Sequence, residues 1–327
     1  MIVTILSGGV GGARFVRGVR EHLYRVAPDG NGGTTADIRV VVNTSDDMWL
    51  AGLRITPDLD SIMYTLAGAN DEVRGWGRLG ESERVSAELA AYGVGWPWFT
   101  LGDLDLGTHI ARSSMLRDGL TLSEVVARIT ARWQLDVALI PMTDDEVETH
   151  VVVEGGTEMH FQEWWTKHRA KLPAQDFVQH GIESAVASPA ALAAIADADV
   201  ILIAPSNPVV SIGTILAVPG IREALADAEA KIVGVSPIIS GAVVRGMADA
   251  CLTAIGVETT ATAVALHYGA REEGGLLDGW LVDEQDAASQ PRIESARITA
   301  SAVPLWMRDL DTSAQLAADA LGLADSL

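Results

Sequence analysis

Short apolar runs rich in β-branched residues recur along the chain: IVTIL from Ile2, IRVVVN from Ile38, DVALIP from Asp136, DVILIAPSNP from Asp199 and KIVGVSP from Lys231. Each is nearly continuous in its apolar character and ends in small or polar residues, the pattern of strands covered on both faces of a parallel sheet. Between them the apolar spacing becomes helical over Gly12 to Arg25, Leu122 to Trp133, Ala190 to Ala196 and Ala242 to Ile255. Strand followed by helix, repeated, predicts an α/β fold with a doubly wound, mostly parallel, Rossmann-like sheet. One stretch breaks the rhythm: THVVVEGGTEMHFQEWW reads as two strands joined around Gly155 and Gly156, a β-hairpin in a small additional subdomain. The expected organisation is a single domain over 1–327 with an inserted subdomain around 70–180. The polar stretch from Asp283 to Ala296 is expected as a surface loop before a last strand and an alanine-rich terminal helix. APDGNGGTTAD, ahead of the second strand, is expected as a flexible loop.

Composition narrows the functional classes. With 48% apolar residues in 327 the chain can bury a sizeable core,. Its 44 acidic against 23 basic side chains give a formal charge of −21, which opposes nonspecific nucleic-acid binding because phosphate backbones select clustered Lys and Arg. The single cysteine, Cys251, cannot form an internal disulfide,. No signal-peptide pattern opens the chain and no uncharged apolar run is long enough to span a bilayer. A cytoplasmic protein with neither nucleic-acid nor membrane partners is expected.

In doubly wound sheets, ligands bind beyond the carboxyl ends of the strands, where strand order reverses, so the residues following each apolar run carry the chemistry. LSGGVGGAR, from Leu6 to Arg14, follows the first run. Glycines there allow a sharp turn and let backbone N–H groups reach an anion at the start of the next helix, with Arg14 adding a fork of donors. The spacing is neither the dinucleotide fingerprint nor a Walker loop. The second run leads into VNTSDDMWLAGLRITPDLDSIMYTLAG, with Asp46, Asp47, Asp58 and Asp60 within fifteen residues. That is the carboxylate supply a Mg²⁺ site beside substrate phosphates needs, although a single aspartate there serves equally as a helix cap. LGDLDLGTHIARSSMLRDG places His109 and Arg112 three apart, on one face of a helix,. APSNPVVSIGTI offers Ser206 and Asn207 after a buried strand, as ligand contacts or simply as a chain turn,.

Taken in order, LSGGVGGARF, VNTSDD with PDLDSIMYTLAG, LGDLDLGTH, HFQEWW, APSNPVVSIGTIL and SPIISGAVVRGMADACL span nearly the whole chain and resemble the CofD/FbiA transferases of coenzyme F-420 biosynthesis. GGVGGAR, VRGWG from Val73 and HFQEWW look most like the actinobacterial branch. The resemblance implies Mg²⁺-dependent transfer of a phospho-acyl group to the ribityl hydroxyl of the deazaflavin Fo, with release of GMP. The donor would be enolpyruvyl-diphospho-5'-guanosine, giving dehydro coenzyme F-420-0, or lactyl-2-diphospho-5'-guanosine. It further implies that Gly9, Gly11, Gly12 and Arg14, with Ser206 and Asn207, hold the guanosine diphosphate part, and that Asn43, Thr44 and Asp58 contact substrate. Mg²⁺ would sit on Asp46 or Asp47 with Asp60. Asp46 and Asp60 are the catalytic carboxylates on this reading, Asp60 either binding metal or orienting the acceptor hydroxyl, while His109 and Arg112 contact donor phosphate or acceptor. A YvcK-like nucleotide-sugar-binding regulator and an NAD-type oxidoreductase are the alternatives. The apolar PSNPVVSIGTILAVPGI stretch and the paired Trp164 and Trp165 point to a homodimer,.

Overall fold

Apolar runs covered on both faces have to stack side by side with helices above and below, and they do so in the computed structural model, which describes residues 1–327. The strands are β1 (Ile2–Ser7), β2 (Asp37–Val42), β3 (Met48–Leu50), β4 (Leu53–Ile55), β5 (Ala138–Pro141), β6 (Glu148–Val153), β7 (Glu158–His160), β8 (Ala174–His180), β9 (Val200–Ile203), β10 (Lys231–Val235), β11 (Ile238–Ile239), β12 (Ala242–Val243), β13 (Gly279–Asp283) and β14 (Thr299–Val303). The helices are α1 (Gly9–Val26), α2 (Pro57–Leu66), α3 (Arg84–Ala91), α4 (Asp103–Arg117), α5 (Leu122–Thr130), α6 (Pro189–Ala196), α7 (Gly213–Ala217), α8 (Ile221–Asp227), α9 (Ala248–Ala254), α10 (Ala261–Tyr268), α11 (Gln290–Glu294) and α12 (Leu310–Asp325).

Seven strands form one sheet in the order β14-β13-β10-β9-β1-β2-β5, and every neighbouring pair is parallel. The chain starts in the middle, moves outward to β5, and returns to add β9 on the other side of β1. Strand order therefore reverses between β1 and β9. Alternation along each strand divides the core in two: Leu6, Val41 and Ile203 face α6 and α10, while Ile5, Val40 and Leu202 face α1, α2 and α12. A separate sheet, β7-β6-β8, is antiparallel and packs Val151 and Val153 against Trp164 and Phe177. No single helix is long and apolar enough to cross a membrane.

Several expectations are corrected. The first helix starts at Gly9, three residues before the apolar spacing becomes regular. Ala242 to Ile255 is not one helix: Ser240 and Gly241 at φ 50° and 75° turn β11 into β12, Gly246 at φ 88° breaks the chain again, and the helix is confined to α9. Asp283 to Ala296 is ordered as a 3₁₀ turn and α11, since Asp283 caps the turn at Gln285 and Ile293 is fully buried. β8 and β13 carry too little alternation, or too much glycine and tryptophan, to stand out in the sequence. The hairpin around Gly155 and Gly156 is present as β6 and β7. Pro208 to Leu216 and Trp164 are buried within this one chain, except for a half-exposed Val209 and Gly213, while Trp165 is half-buried and Ala217 and Pro219 are exposed.

Helices α1 and α12 approach closely because Gly18 has no side chain: a Cβ there would lie 2.3 Å from the backbone oxygen of Ser313. Gly18→Ala is expected to destabilise the protein by about 1–3 kcal/mol in denaturant titration. Gly107→Ala, in α4 where a Cβ meets nothing within 4 Å, is expected to stabilise by about 0.5–1 kcal/mol. Equal effects at both positions would contradict the close packing.

Candidate functional site

The reversal between β1 and β9 opens a crevice, and the glycine turn is built to close-pack its floor. A Cβ on Gly8 would lie 2.5 Å from Asp58 Oδ2, and one on Gly12 would lie 2.2 Å from Ser7 Oγ and 2.6 Å from Ser206 Oγ. Gly9 adopts φ +65°, and a Cβ on Gly11 would lie 3.1 Å from the Pro205 carbonyl oxygen. These glycines thus let the start of α1, the start of α2 and the turn after β9 meet at one point. Ser206 fastens that junction: its Oγ donates to the Gly8 carbonyl at 2.7 Å and accepts from the Gly8 N–H at 3.0 Å. Asn207 caps the wide turn that follows, its Oδ1 accepting from the N–H groups of Val209 and Val210. Both residues are therefore engaged in shaping the crevice.

Beyond β2 the chain supplies the acidic centre. Asn43 is its hub: Nδ2 donates to Asp58 Oδ2 at 2.9 Å, and Oδ1 accepts from the N–H and Oγ of Ser45 and from Thr214 Oγ1. Asp46, Asp47 and Asp58 are buried around it. Asp46 Oδ1, both carboxylate oxygens of Asp47 and the neighbouring Thr44 Oγ1 have no hydrogen-bond partner. Burial raises the Asp46 pKa well above the ordinary carboxylate range, and the nearby charges of Asp58 and Asp47 add to it. Burial likewise raises Asp47, against the pull of Arg54, 3.8 Å away, and of Arg112. Asp58 is pushed up to about 6 by burial, opposed by its hydrogen bonds from Asn43 and the Gly9 N–H. Orphaned buried acceptors of this kind call for a partner, and an all-oxygen set fits a hard divalent cation.

Asp60 stands differently. Its Oδ1 is ion-paired with Arg112 Nη2 and its Oδ2 accepts from Thr56 Oγ1 at 3.2 Å. Arg112 Nη1 reaches the Arg54 carbonyl and, at 2.9 Å, His109 Nδ1. A guanidinium only donates, so His109 accepts at Nδ1 and carries its proton on Nε2, facing Asp105 Oδ1 at 3.3 Å. Tyr64 donates to the same oxygen at 2.8 Å. Burial alone would raise Asp105, but His109, Tyr64 and Arg112 outweigh it and hold its pKa down. His109 and Arg112, both 1% exposed, do share a face as their spacing predicts, and they use it to hold Asp60 and Asp105.

Arg14 makes no polar contact with this network; it lines a shallow surface recess with Val10, Arg17, Tyr64, Glu72 and Arg245. Arg17 pairs with Glu72, whereas Arg14 and Arg245 have no acidic partner, and burial and the charge of Arg14 lower the Arg245 pKa. Two guanidinium groups without an acidic partner thus line one recess beside the glycine turn, a charge arrangement suited to an anion. Arg54 and Arg245 did not stand out in the sequence. Arg245 lies in the stretch that reads as helix, and Arg54 returns to Asp47 only through the β3–β4 hairpin, turned at Ala51 and Gly52 with φ 52° and 76°. A lone arginine between two aspartate pairs was the available signal.

The fold and site define a Rossmann-like α/β enzyme class with a carboxylate centre and a cationic recess at the topological switch point. Residues 3–317 match the family described as 2-phospho-L-lactate transferase CofD. The chain is 54% identical to a phosphoenolpyruvate transferase of Streptomyces coelicolor, covering 100% of this chain and 99% of that one. It is 52% identical to one of Thermobifida fusca, with 99% and 98% covered, and 51% identical to one of Mycobacterium marinum, with 99% of each covered. A crystal structure of a UPF0052 family member from Bacillus halodurans shares the fold, with TM-score 0.59 at 15% identity over 98% of both chains. The chain belongs to the CofD family and is a transferase.

The acidic centre has a pH signature. Asp58 titrates near 6 in the folded chain against an ordinary 3.8, so its contribution to stability is full below about pH 4 and lost as pH rises through about 6. Without divalent metal, Asp58→Asn is expected to remove that slope and to stabilise the protein at neutral pH by about 1–3 kcal/mol. Denaturant titrations across this range check it; a variant less stable than wild type at neutral pH would contradict it.

Proposed function

We propose that this transferase moves a phosphoenolpyruvyl group from enolpyruvyl-diphospho-5'-guanosine to the ribityl hydroxyl of the deazaflavin Fo, forming dehydro coenzyme F-420-0 and releasing GMP. The observation that carries the reading is the buried trio of Asp46, Asp47 and Asp58, with orphaned oxygens on Asp46 and Asp47, beside the glycine turn and the Arg14–Arg245 corner. The enolpyruvyl donor is favoured over the lactyl one because relatives at 50–54% identity over nearly the full length are named phosphoenolpyruvate transferases.

Phosphoryl transfer passes through a loose transition state, in which positioning and charge neutralisation dominate. Asp46 and Asp47, whose oxygens lack partners, with Asp58 near them, would hold Mg²⁺, which when bound would supply positive charge to the donor's diphosphate. Arg14 and Arg245 bind the anionic donor from the other side. The first turn of α1 presents its backbone N–H groups to the same phosphates. Arg112, fixed by His109, Asp60 and the Arg54 carbonyl, keeps the wall of the centre positively charged, and Asp60 acts as its counter-ion. The acceptor hydroxyl oxygen forms the new bond to phosphorus as the bond to the GMP oxygen breaks, and the hydroxyl proton passes to solvent.

A fluorescence titration with Fo, with and without Mg²⁺ and the guanosine diphosphate ester, followed by product mass analysis, tests this. Mg²⁺-dependent GMP release with a product carrying the enolpyruvyl group is expected. Asp46→Asn is expected to lower the transfer rate at least ~100-fold, the scale of one lost transition-state contact, without lowering stability in the absence of metal. Wild-type turnover by Asp46→Asn, or binding of a nucleotide sugar but not Fo, would overturn the reading.

A further inference from the structure

The outer face of the small antiparallel sheet gathers three of the chain's seven histidines. His150 on β6 is opposite His160 on β7 and Val178 on β8, while His180 is opposite Glu148 and Glu158 is opposite Val152. Residues two apart on a strand share a face, so His150, Glu158 and His180 are diagonal neighbours on three adjacent strands, within reach of one another. The opposite face of the sheet is apolar and packed on Trp164. This polar face is thus rigidly backed, and none of the three residues enters the proposed transfer chemistry.

Their side chains converge. Glu158 Oε1 lies 3.0 Å from His150 Nδ1 and 2.5 Å from His180 Nε2, and the three ligand atoms lie within 4.8 Å of one another. Two imidazole nitrogens from different strands therefore aim at one point. The other nitrogen of His150, Nε2, faces Glu148 Oε2 at 3.9 Å. That distance is too long for a hydrogen bond, so Nε2 is not tied to Glu148, and the close partner of the ring is Glu158 at the shared point; a metal ion there would displace the proton that the imidazole and the carboxylate share. The side chains are partly exposed, from 25% for His150 to 52% for His180, so an ion and a water can enter.

We propose that His150, Glu158 and His180 bind one borderline transition-metal ion of the Zn²⁺ class, clamping the three strands of the small sheet. Two imidazoles and one carboxylate supply three ligands and leave a fourth position for water, a set that suits Zn²⁺. Imidazole ligands select against Mg²⁺ and Ca²⁺, so this site is chemically distinct from the all-oxygen centre at the switch point.

Calorimetric titration of the full chain with Zn²⁺, and with Co²⁺ followed by visible absorption, both in excess Mg²⁺ to occupy the acidic centre, tests the proposal. One equivalent is expected to bind to wild type, with Co²⁺ producing the ligand-field bands of a four- or five-coordinate nitrogen and oxygen site. His180→Ala and Glu158→Gln are each expected to weaken binding more than about tenfold, at least the effect of losing an outer-shell partner, while His22→Ala leaves it unchanged. Circular dichroism confirms that the variants fold. Absence of Zn²⁺ and Co²⁺ binding, or binding indifferent to His180→Ala and Glu158→Gln, would overturn the site and leave the cluster as an ion pair.

Discussion

An excess of buried negative charge is the constraint on which the rest of the switch-point region depends. Asp46, Asp47, Asp58 and Asp60 lie buried together, and the arginines paired with them are Arg54 and Arg112. At an interior dielectric an unpaired carboxylate is costly, so it takes up a proton, finds a donor or binds a cation. Asp60 takes the second course through Arg112. Asp58 does so partly, through Asn43 and the Gly9 N–H. Asp46 and Asp47 are left with the first and third. The close glycine contacts, the Asn43 hub and the β3–β4 hairpin that returns Arg54 all hold this charge in place. The protein therefore stores at its switch point the electrostatic demand that a metal-bridged diphosphate would satisfy.

A second set of interactions shows how much of the polar capacity near the site goes into building it. Ser206, Asn207, Asn43, His109 and Arg112 have their polar groups largely committed to other protein groups. They position the carboxylates and the glycine turn. Ligand-facing capacity is concentrated in Thr44, Asp46, Asp47, Arg14 and Arg245. Such a division suits phosphoryl transfer, in which a preorganised frame matters more than the number of side chains touching substrate.

Much of the fold was legible in the sequence because buried parallel strands announce themselves: five continuous apolar runs became β1, β2, β5, β9 and β10. β13, with Gly279 and Trp280, and β8, polar on most positions, lack that signal and went unread. The Ala242 to Ile255 stretch shows the limit of periodicity, since Gly241 and Gly246 at positive φ override an acceptable helical spacing. At the site, spacing rightly placed His109 and Arg112 on one face and grouped the aspartates. It could not show which polar atoms the protein would use itself, because Arg112 meets Asp60 and Thr214 meets Asn43 across 52 and 171 residues. Arg245 was hidden for the same reason, being brought to Arg14 by tertiary packing alone.

The most direct test of the buried acidic centre is the binding of guanosine diphosphate by calorimetry, with and without Mg²⁺, near pH 6 in buffers of different ionisation enthalpy. If the carboxylates hold the cation against the diphosphate, Mg²⁺ strengthens binding and the complex releases protons, because raised carboxylates must ionise to take the metal. Binding that is indifferent to Mg²⁺, or that proceeds with no proton release, would contradict the assignment of Asp46, Asp47 and Asp58 as the centre of the site.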